Sequence, residues 1–545
     1  MSSDKSGIAR REFLTSVGRA VGGAAMLRTM AAMGIGTVAA ACGSSSAGSS
    51  GTPVAPPAPA PAPPGMQSPR PGDWDANVGV GKSVVILGAG IAGMTAAWEM
   101  AKLGYSCTIL EATARAGGRN RTIRGGDTVV ETDSTQACTF DADPDLYFNP
   151  GPARISHHHE FLLGYCREFG VALETFVNDN HAALIHSSNA FNGQATIARR
   201  LHADTRGYIA ELLALAVNQG ALDQELTATD KTNILAMLQQ YGDLDAARNY
   251  VGSSRAGFPG QEDAGGRQRG ELLNPLQLSD LLADTFLQLR QDFAHGLEQQ
   301  PTMLQPVGGM DQIALAFESR VAANIVYQAQ VTEIRKVTDG ARVIYQDEFG
   351  ASFTVDADYC LCTIPATVLR DIPNDFSVNH QAAITGFAYT SAGKIAFQSR
   401  RFWEADHNIY GGISWTDQDI TQLWYPNNGF GQTNGIIVGA YMFGGVAGDN
   451  FANQTPQGRI TSSTTQGSNV HAEYAAEVSR GIGVAWPKVP FQLGAWGTSD
   501  PGILLTADDN IFFAGEHLSI LQGWQEGAIL SAYHAIDLVV QRDTP

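Results

Sequence analysis

SVVILGAGIAGMTAAWEMAKLGYSCTILE, residues 83–111, decides the fold class. Ser83 to Leu87 is a short apolar, β-branched run, and Gly88-Ala89-Gly90-Ile91-Ala92-Gly93 follows it directly. The pattern predicts a strand, a tight turn, then a helix through Thr95, Ala96, Ala97, Trp98, Met100 and Ala101. Ser106 to Leu110 reads as a second strand that ends on Glu111, so the whole is one βαβ unit. Gly88 permits the turn, Gly90 lets a pyrophosphate reach the backbone at the positive helix start, and Gly93 lets helix and strand pack closely. Glu111, about 20 residues beyond the glycines, is placed to accept from a ribose hydroxyl and to repel a 2′-phosphate. Ile91 and Ala92 of the turn and Ala112 beside the acid complete the expected nucleotide contacts.

Outward from this unit, the 545 residues allow more than one hydrophobic core, since single domains usually run to roughly 100–200 residues. A hydrophobic share of 44%, 60 glycines and only 16% charged residues exclude a disordered or fibrous chain. The formal charge of -19 repels a phosphate backbone and an anionic lipid surface, so no nucleic-acid partner is expected. It does not exclude an anionic small substrate, because one buried arginine sets the local potential.

The six cysteines, at 42, 107, 138, 166, 360 and 362, are too few for a disulfide scaffold and contain no C-x-x-C pair for zinc. Cys360 and Cys362 fall in an apolar run, where a strand puts them on one face as small buried hydrophobes.

Residues 1–42 resemble a twin-arginine export signal: Arg10-Arg11 is followed by Glu12-Phe13-Leu14 and a mildly apolar stretch to Ala41. Arg28 interrupts that stretch, and what remains is shorter than the roughly 20 residues that span a bilayer. Ala39-Ala40-Ala41-Cys42 is similar to a lipoprotein cleavage site, with ordinary cleavage at the alanines as the alternative. Residues 43–80 are Ser/Gly-rich, then Ala/Pro-rich, a composition that makes an extended spacer. The expectation is an exported periplasmic or extracellular protein, touching a membrane only through a lipid anchor at Cys42.

After Glu111-Ala112 come Arg115 and Gly117-Gly118-Arg119, a stretch that resembles the second fingerprint of the flavin amine oxidase superfamily and implies FAD as the dinucleotide. From about Lys82 onward the chain resembles an L-amino-acid oxidase of that superfamily, in patches that keep the family's order. Gly151-Pro152-Ala153-Arg154 is similar to the family's Gly-Pro-Met-Arg segment, which implies a backbone passing the flavin and an arginine binding the substrate carboxylate. A guanidinium suits that role because its planar fork matches a carboxylate in two parallel hydrogen bonds. Val307 to Gln312 resembles the family's return into the FAD domain, and Val331 the position that meets the adenine. Gly393-Lys394-Ile395 resembles the strand whose lysine, here Lys394, holds a water near the flavin. Trp424-Tyr425-Pro426-Asn427 resembles Tyr-Tyr-Pro-Asn, which implies Tyr425 as a second carboxylate ligand. Asn510 to Glu516 followed by Gly523-Trp524 resembles the closing motif: Glu516 on the ribityl chain, Gly523 and Trp524 in the substrate pocket, Ala528 on the following helix.

The implied fold is α/β: a Rossmann-like FAD-binding domain of glutathione-reductase type, interleaved with an α+β substrate-binding domain and a helical subdomain. The FAD-binding parts fall at 81–150, 301–370 and 491–545, the substrate and helical part at 151–300, and the substrate-binding sheet at 371–490. Within 151–300, Ser279 to Phe293 reads as one helix with Ser279 as N-cap. The implied activity is oxidative deamination of a small-molecule L-amino acid with oxygen, giving a 2-oxo acid, ammonia and hydrogen peroxide, in a homodimer. Decarboxylating 2-monooxygenases, plain amine oxidases, quinone-linked dehydrogenases and non-catalytic electron-transfer flavoproteins are the competing readings. His157-His158-His159 tempts a metal reading, but consecutive histidines on a helix diverge and no acidic cluster matches them in sequence. A solvated or capping role is expected instead.

Overall fold

The computed structural model describes residues 69–259 and 270–544, so the export signal, Cys42 and most of the 43–80 spacer lie outside the described residues. A five-stranded parallel sheet runs in the order Ile325–Val326, Ser106–Leu110, Ser83–Leu87, Tyr359–Cys362, Ile511–Phe513. Three distant stretches of chain therefore build one nucleotide-binding sheet. Its central strands are buried almost end to end, as both faces of a parallel sheet must be. Cys360 and Cys362 sit in one core cluster with Val85 and Leu87, and burial pushes the Cys362 thiol up to about 12.

The chain leaves Ser83–Leu87 through Gly88 (φ +102°) into the helix Ile91–Lys102. A Cβ on Gly93 would lie 2.0 Å from the Gly88 carbonyl oxygen, so the close approach of helix to strand requires glycine. A Cβ on Gly90 would meet nothing within 4 Å among the described residues, which leaves room over the turn. The antiparallel meander Gln330–Val337, Gly340–Gln346, Ser352–Ala357 follows, with a bulge between Val331 and Glu333.

A seven-stranded mixed sheet, in the order Val478–Ala485, Ala392–Arg400, Asn434–Phe443, Gln422–Trp424, Ile413–Thr416, Leu184–His186, Thr196–Ile197, carries the other half of the site. Its strand Ala392–Arg400 is buried through its first eight residues. A small sheet joins Ile155–Ser156, Met303–Pro306 and Leu173–Phe176.

Residues 198–283 form a separate compact unit. Its helices Ala198–Asn218 and Ala228–Gly242 bury Ala210, Ala214 and Leu238 together, and a Thr227–Asp230 capping box starts the second. The single helix expected over Ser279–Phe293 is not formed. Leu278–Leu281 is one short helix, and Thr285–Gln291 is another whose cap is Asp284, which accepts from the Phe286 amide at 2.9 Å. Ser279 lies inside the first; an aspartate is as good an N-cap as a serine, and Asp284 is the residue that bonds.

Candidate active site

At the carboxyl ends of the parallel strands lies a cavity of about 850 Å3. The crevice outside those strand ends, where the strand order reverses, is where open α/β sheets bind nucleotides. Gly88, Gly90, Ile91 and Ala92 line it at one end, with Glu111 and Ala112 beside them. The helix Ile91–Lys102 starts at Gly90 with no side-chain cap and no acidic residue in its first turn, so its free amides face the cavity as an anion site. Glu111 is buried and its carboxylate accepts from the amides of Ala89 (2.8 Å) and Thr113 (2.9 Å), which holds it at the strand end. Val331, buried at the bulge, lines the same end.

The second fingerprint and the closing motif meet. Arg119 Nη1 donates to Glu516 Oε1 at 2.7 Å, and the other carboxylate oxygen accepts from the Gly523 amide at 2.8 Å. Gly118 lies over the fingerprint turn, where its Cβ would stand 3.5 Å from the Gly90 Cα. The helix Gln525–Asp543 begins after Trp524 with no side-chain cap, and Gln525 and Ala528 face the cavity. An elongated cavity with an open helix start at one end, a held acid beside it and a second uncapped helix start further along fits a dinucleotide carrying a polar ring system.

The Gly151 to Arg154 stretch is held by its carbonyls. Lys394 Nζ donates to Asn149 O (3.1 Å) and Gly151 O (2.7 Å), while Trp486 Nε1 donates to Pro150 O at 3.0 Å. A Cβ on Gly151 would lie 2.1 Å from Arg119 O, so the segment passes against the second fingerprint. Pro152, Ala153 and Arg154 all line the cavity. The Arg154 guanidinium stands over the Trp424 ring at 4.7 Å, with Phe293 at 5.7 Å and Phe176 at 5.9 Å. Its Nε and Nη1 are sealed from solvent and have no hydrogen-bond partner among the described residues. Burial lowers it to about 10, with only Tyr441 acting in the other direction, so it stays charged at neutral pH. A buried, uncompensated guanidinium is costly unless an anion completes it.

Lys394 is 2% exposed and sits against the rings of Trp424 (4.8 Å) and Tyr441 (4.7 Å). Burial, then the nearby Arg154 charge, holds it well below the ordinary lysine range.

Tyr425 does not reach the cavity. Its hydroxyl is buried on the opposite side of the sheet, bonded to Ser414 Oγ and His471 Nε2, each at 2.6 Å. Gln422 and Trp424, alternate residues of the strand Gln422–Trp424, line the cavity, and Tyr425, just past the end of that strand, turns its ring away from it. The resemblance to a Tyr-Tyr pair led to the right segment, but Trp424 and not Tyr425 is its cavity residue. The phenol in the cavity is Tyr441, on the neighbouring strand opposite Lys394.

The three histidines occupy three environments. His157 is exposed, His158 partly buried, and His159 fully buried in the cavity wall, its ring 4.9 Å from that of Trp524. His159 holds the N-cap position of Glu160–Phe169 but makes no side-chain cap, so the expected capping role is absent. The amides it leaves are satisfied by Glu526, which accepts from Phe161 (3.0 Å) and Leu162 (2.8 Å). Nothing in the local sequence pointed to a cavity position for His159; Trp524, whose ring packs against it, comes from the far end of the chain.

The family model for flavin containing amine oxidoreductases matches residues 91–540. The chain belongs to this family. As a flavin amine oxidoreductase it binds FAD and acts on CH–NH2 groups. It is 25% identical over 478 residues to an L-amino-acid oxidase of Siganus canaliculatus, covering 84% of this chain and 85% of that protein. An L-amino-acid oxidase of Gloydius halys is 27% identical over 472 residues, covering 83% and 88%. Among solved structures, cyclohexylamine oxidase from Brevibacterium oxydans superimposes with a TM-score of 0.55 at 16% identity, over 85% of this chain and 99% of that one. That likeness is one of fold.

Two buried histidines give this oxidoreductase an acid limit. Burial, then the Arg119 charge, holds His517 down to about 3, and burial, then His407, holds His471 down to about 4. Unfolded, both bind a proton near pH 6.5, so their contribution is fully present at neutral pH and is lost as pH falls from about 6.5 through about 4 for His471 and about 3 for His517. At about 1.4 kcal/mol per pKa unit the two together destabilise the fold by several kcal/mol at the acid end. The melting temperature, followed by flavin fluorescence, is expected to fall steeply over that interval and less steeply in His517→Gln. An unchanged slope in that variant refutes the assignment.

Proposed function

We propose that the chain catalyses FAD-dependent oxidative deamination of an L-amino acid to the 2-oxo acid, ammonia and hydrogen peroxide. The observation that carries the reading is Arg154, a charged guanidinium in the cavity wall whose Nε and Nη1 are sealed from solvent and which has no acidic partner among the described residues. A substrate carboxylate supplies the missing anion, which a plain amine does not. The Tyr441 phenol, on the same cavity wall and close enough to feel the Arg154 charge, is the second group for that carboxylate. FAD, when bound, supplies the two-electron acceptor that oxygen restores.

The chain's own contribution is orientation and exclusion of water. Arg154 and Tyr441 hold the carboxylate end, while Trp424 and Trp524 line the cavity as flat walls. A neutral Lys394 amine spends its two N–H groups on Asn149 O and Gly151 O, which leaves its lone pair free to accept a proton from a water. Tyr441→Phe is expected to raise KM for the amino acid, by about 10-fold or more for a lost hydrogen bond to a charged group, and Tyr425→Phe to leave it within twofold. The reverse pattern restores Tyr425 as the ligand.

Anaerobic titration of the yellow protein with the twenty L-amino acids tests the function itself. Bleaching by at least one of them, followed by peroxide without carbon dioxide on admitting air, is the expected result. Carbon dioxide in place of ammonia identifies a 2-monooxygenase, and no bleaching by any of them an electron carrier. Export by the twin-arginine route is part of the same proposal, supported by Arg10-Arg11 and the stretch to Cys42. Replacing both arginines by lysine is expected to leave the protein in the cytoplasm.

A further inference from the structure

His158 and His159 converge on a residue far away in the chain, Glu298, which belongs to the one-turn helix Leu297–Gln299. His158 Nε2 lies 3.2 Å from Glu298 Oε2, and His159 Nε2 lies 3.5 Å from the same oxygen. All three atoms are sealed from solvent, and none has a hydrogen-bond partner among the described residues. A plain histidine–glutamate ion pair does not account for this. In such a pair an N–H points along the line to the carboxylate, whereas here two rings approach one oxygen without hydrogen-bond geometry. Three buried, unsatisfied donor atoms of opposite formal character, gathered at one point, are expensive unless something occupies the point between them.

We infer that His158, His159 and Glu298 form a site for a divalent transition metal in the wall of the catalytic cavity, with zinc the ion that best suits the donors. Zinc bonds to imidazole nitrogen and carboxylate oxygen run to about 2.0–2.2 Å, so neighbouring ligand atoms of a tetrahedral site stand about 3.3–3.5 Å apart. The two measured separations fall in or beside that range. Two imidazoles disfavour calcium and magnesium, which take oxygen donors. The ligands are held in place beforehand: the Glu160 amide donates to His158 O at 2.9 Å, the His159 amide to Ser156 O at 3.1 Å. Three protein ligands leave a fourth position for water or a ligand oxygen.

The site joins two parts of the cavity wall. His159 stands against Trp524, and Gln299, the neighbour of Glu298, also lines the cavity. A bound ion therefore clamps the 297–299 turn to the start of the helix Glu160–Phe169 and fixes the ring on which Trp524 rests. The site is independent of which amine the enzyme oxidises.

The test uses the holoenzyme, stripped with a chelator and then dialysed against buffered zinc. One zinc per FAD by atomic emission is expected, together with a zinc-dependent rise in melting temperature that calcium does not produce. His158→Ala and Glu298→Gln, with FAD content confirming their fold, are each expected to weaken zinc binding at least about 100-fold, the upper end of what loss of a mere supporting group costs. X-ray absorption on the zinc-loaded wild type is expected to show two imidazoles, and needs no variant to fold. No zinc retained at micromolar free ion, equal retention by both variants, or fewer than two imidazoles on the metal overturns the site.

Discussion

Arg154→Ala is expected to leave the flavin spectrum intact and to lower kcat/KM for L-amino acids by about 30-fold or more, from the roughly 2–5 kcal/mol lost when one member of a buried charge pair is removed. The expectation rests on three features of the cavity: the guanidinium is enclosed by Trp424, Phe293 and Phe176, its Nε and Nη1 are unpartnered among the described residues, and burial has not discharged it. A substrate carboxylate is then the counter-ion that the folded protein lacks. The variant's loss should vanish for the corresponding decarboxylated amine, because that substrate never used the charge. Arg154→Lys should recover little, since an ammonium cannot reproduce the planar fork and fits the aromatic enclosure poorly. Equal loss on amino acid and decarboxylated amine removes Arg154 from substrate recognition.

Lys394→Met is the second large effect. Its amine is buried between Trp424 and Tyr441 and donates to two backbone carbonyls, and both burial and Arg154 disfavour its charge. Methionine keeps the length and the packing while removing the basic nitrogen and its N–H groups. Reoxidation of the reduced flavin by oxygen is expected to slow by about 100-fold, the lower end for a positioned proton-transfer group, with anaerobic reduction by substrate within a few-fold of wild type. Burial and Arg154 lower the Lys394 value, so any pH limb that this amine gives the wild-type reoxidation rate lies below the ordinary lysine range and is absent from the variant. Undiminished oxygen reactivity in Lys394→Met would falsify the role.

The nucleotide end of the site was legible because it is local. Gly88, Gly90, Gly93 and Glu111 lie within one βαβ unit, and the reasons for each, a positive φ, open space over a helix start, a 2.0 Å approach to a carbonyl, are properties of that unit alone. Gly151 to Arg154, Lys394, Glu516 and Trp524 were reached through resemblance, and all of them line one cavity or, like Lys394, brace it as well. The failures share a cause. Trp424 ends a strand and Tyr425 follows it, and Trp424 is set on the cavity face by its pairing with Ile413 and Val438 from other strands. Tyr441 became visible only once its strand was placed opposite Lys394. His157 to His159 were set aside for want of an acid nearby in sequence, and the acid, Glu298, arrives from a turn well over a hundred residues further on.

By itself the sequence determined that the protein binds a dinucleotide at an open helix start, that the turn before that helix needs Gly88 and Gly93, and that the chain is acidic and globular. Backbone sterics over a few consecutive residues dictate the turn, and composition alone dictates the charge. The tertiary structure decided what lines the rest of the cavity: an arginine left without an acid among the described residues, the Tyr441 phenol on the wall where Tyr425 turns away, a lysine whose charge burial disfavours, and two histidines turned onto Glu298. Each of these depends on which strand faces which and on how much water is excluded between segments far apart in the chain, quantities that no local stretch of residues contains.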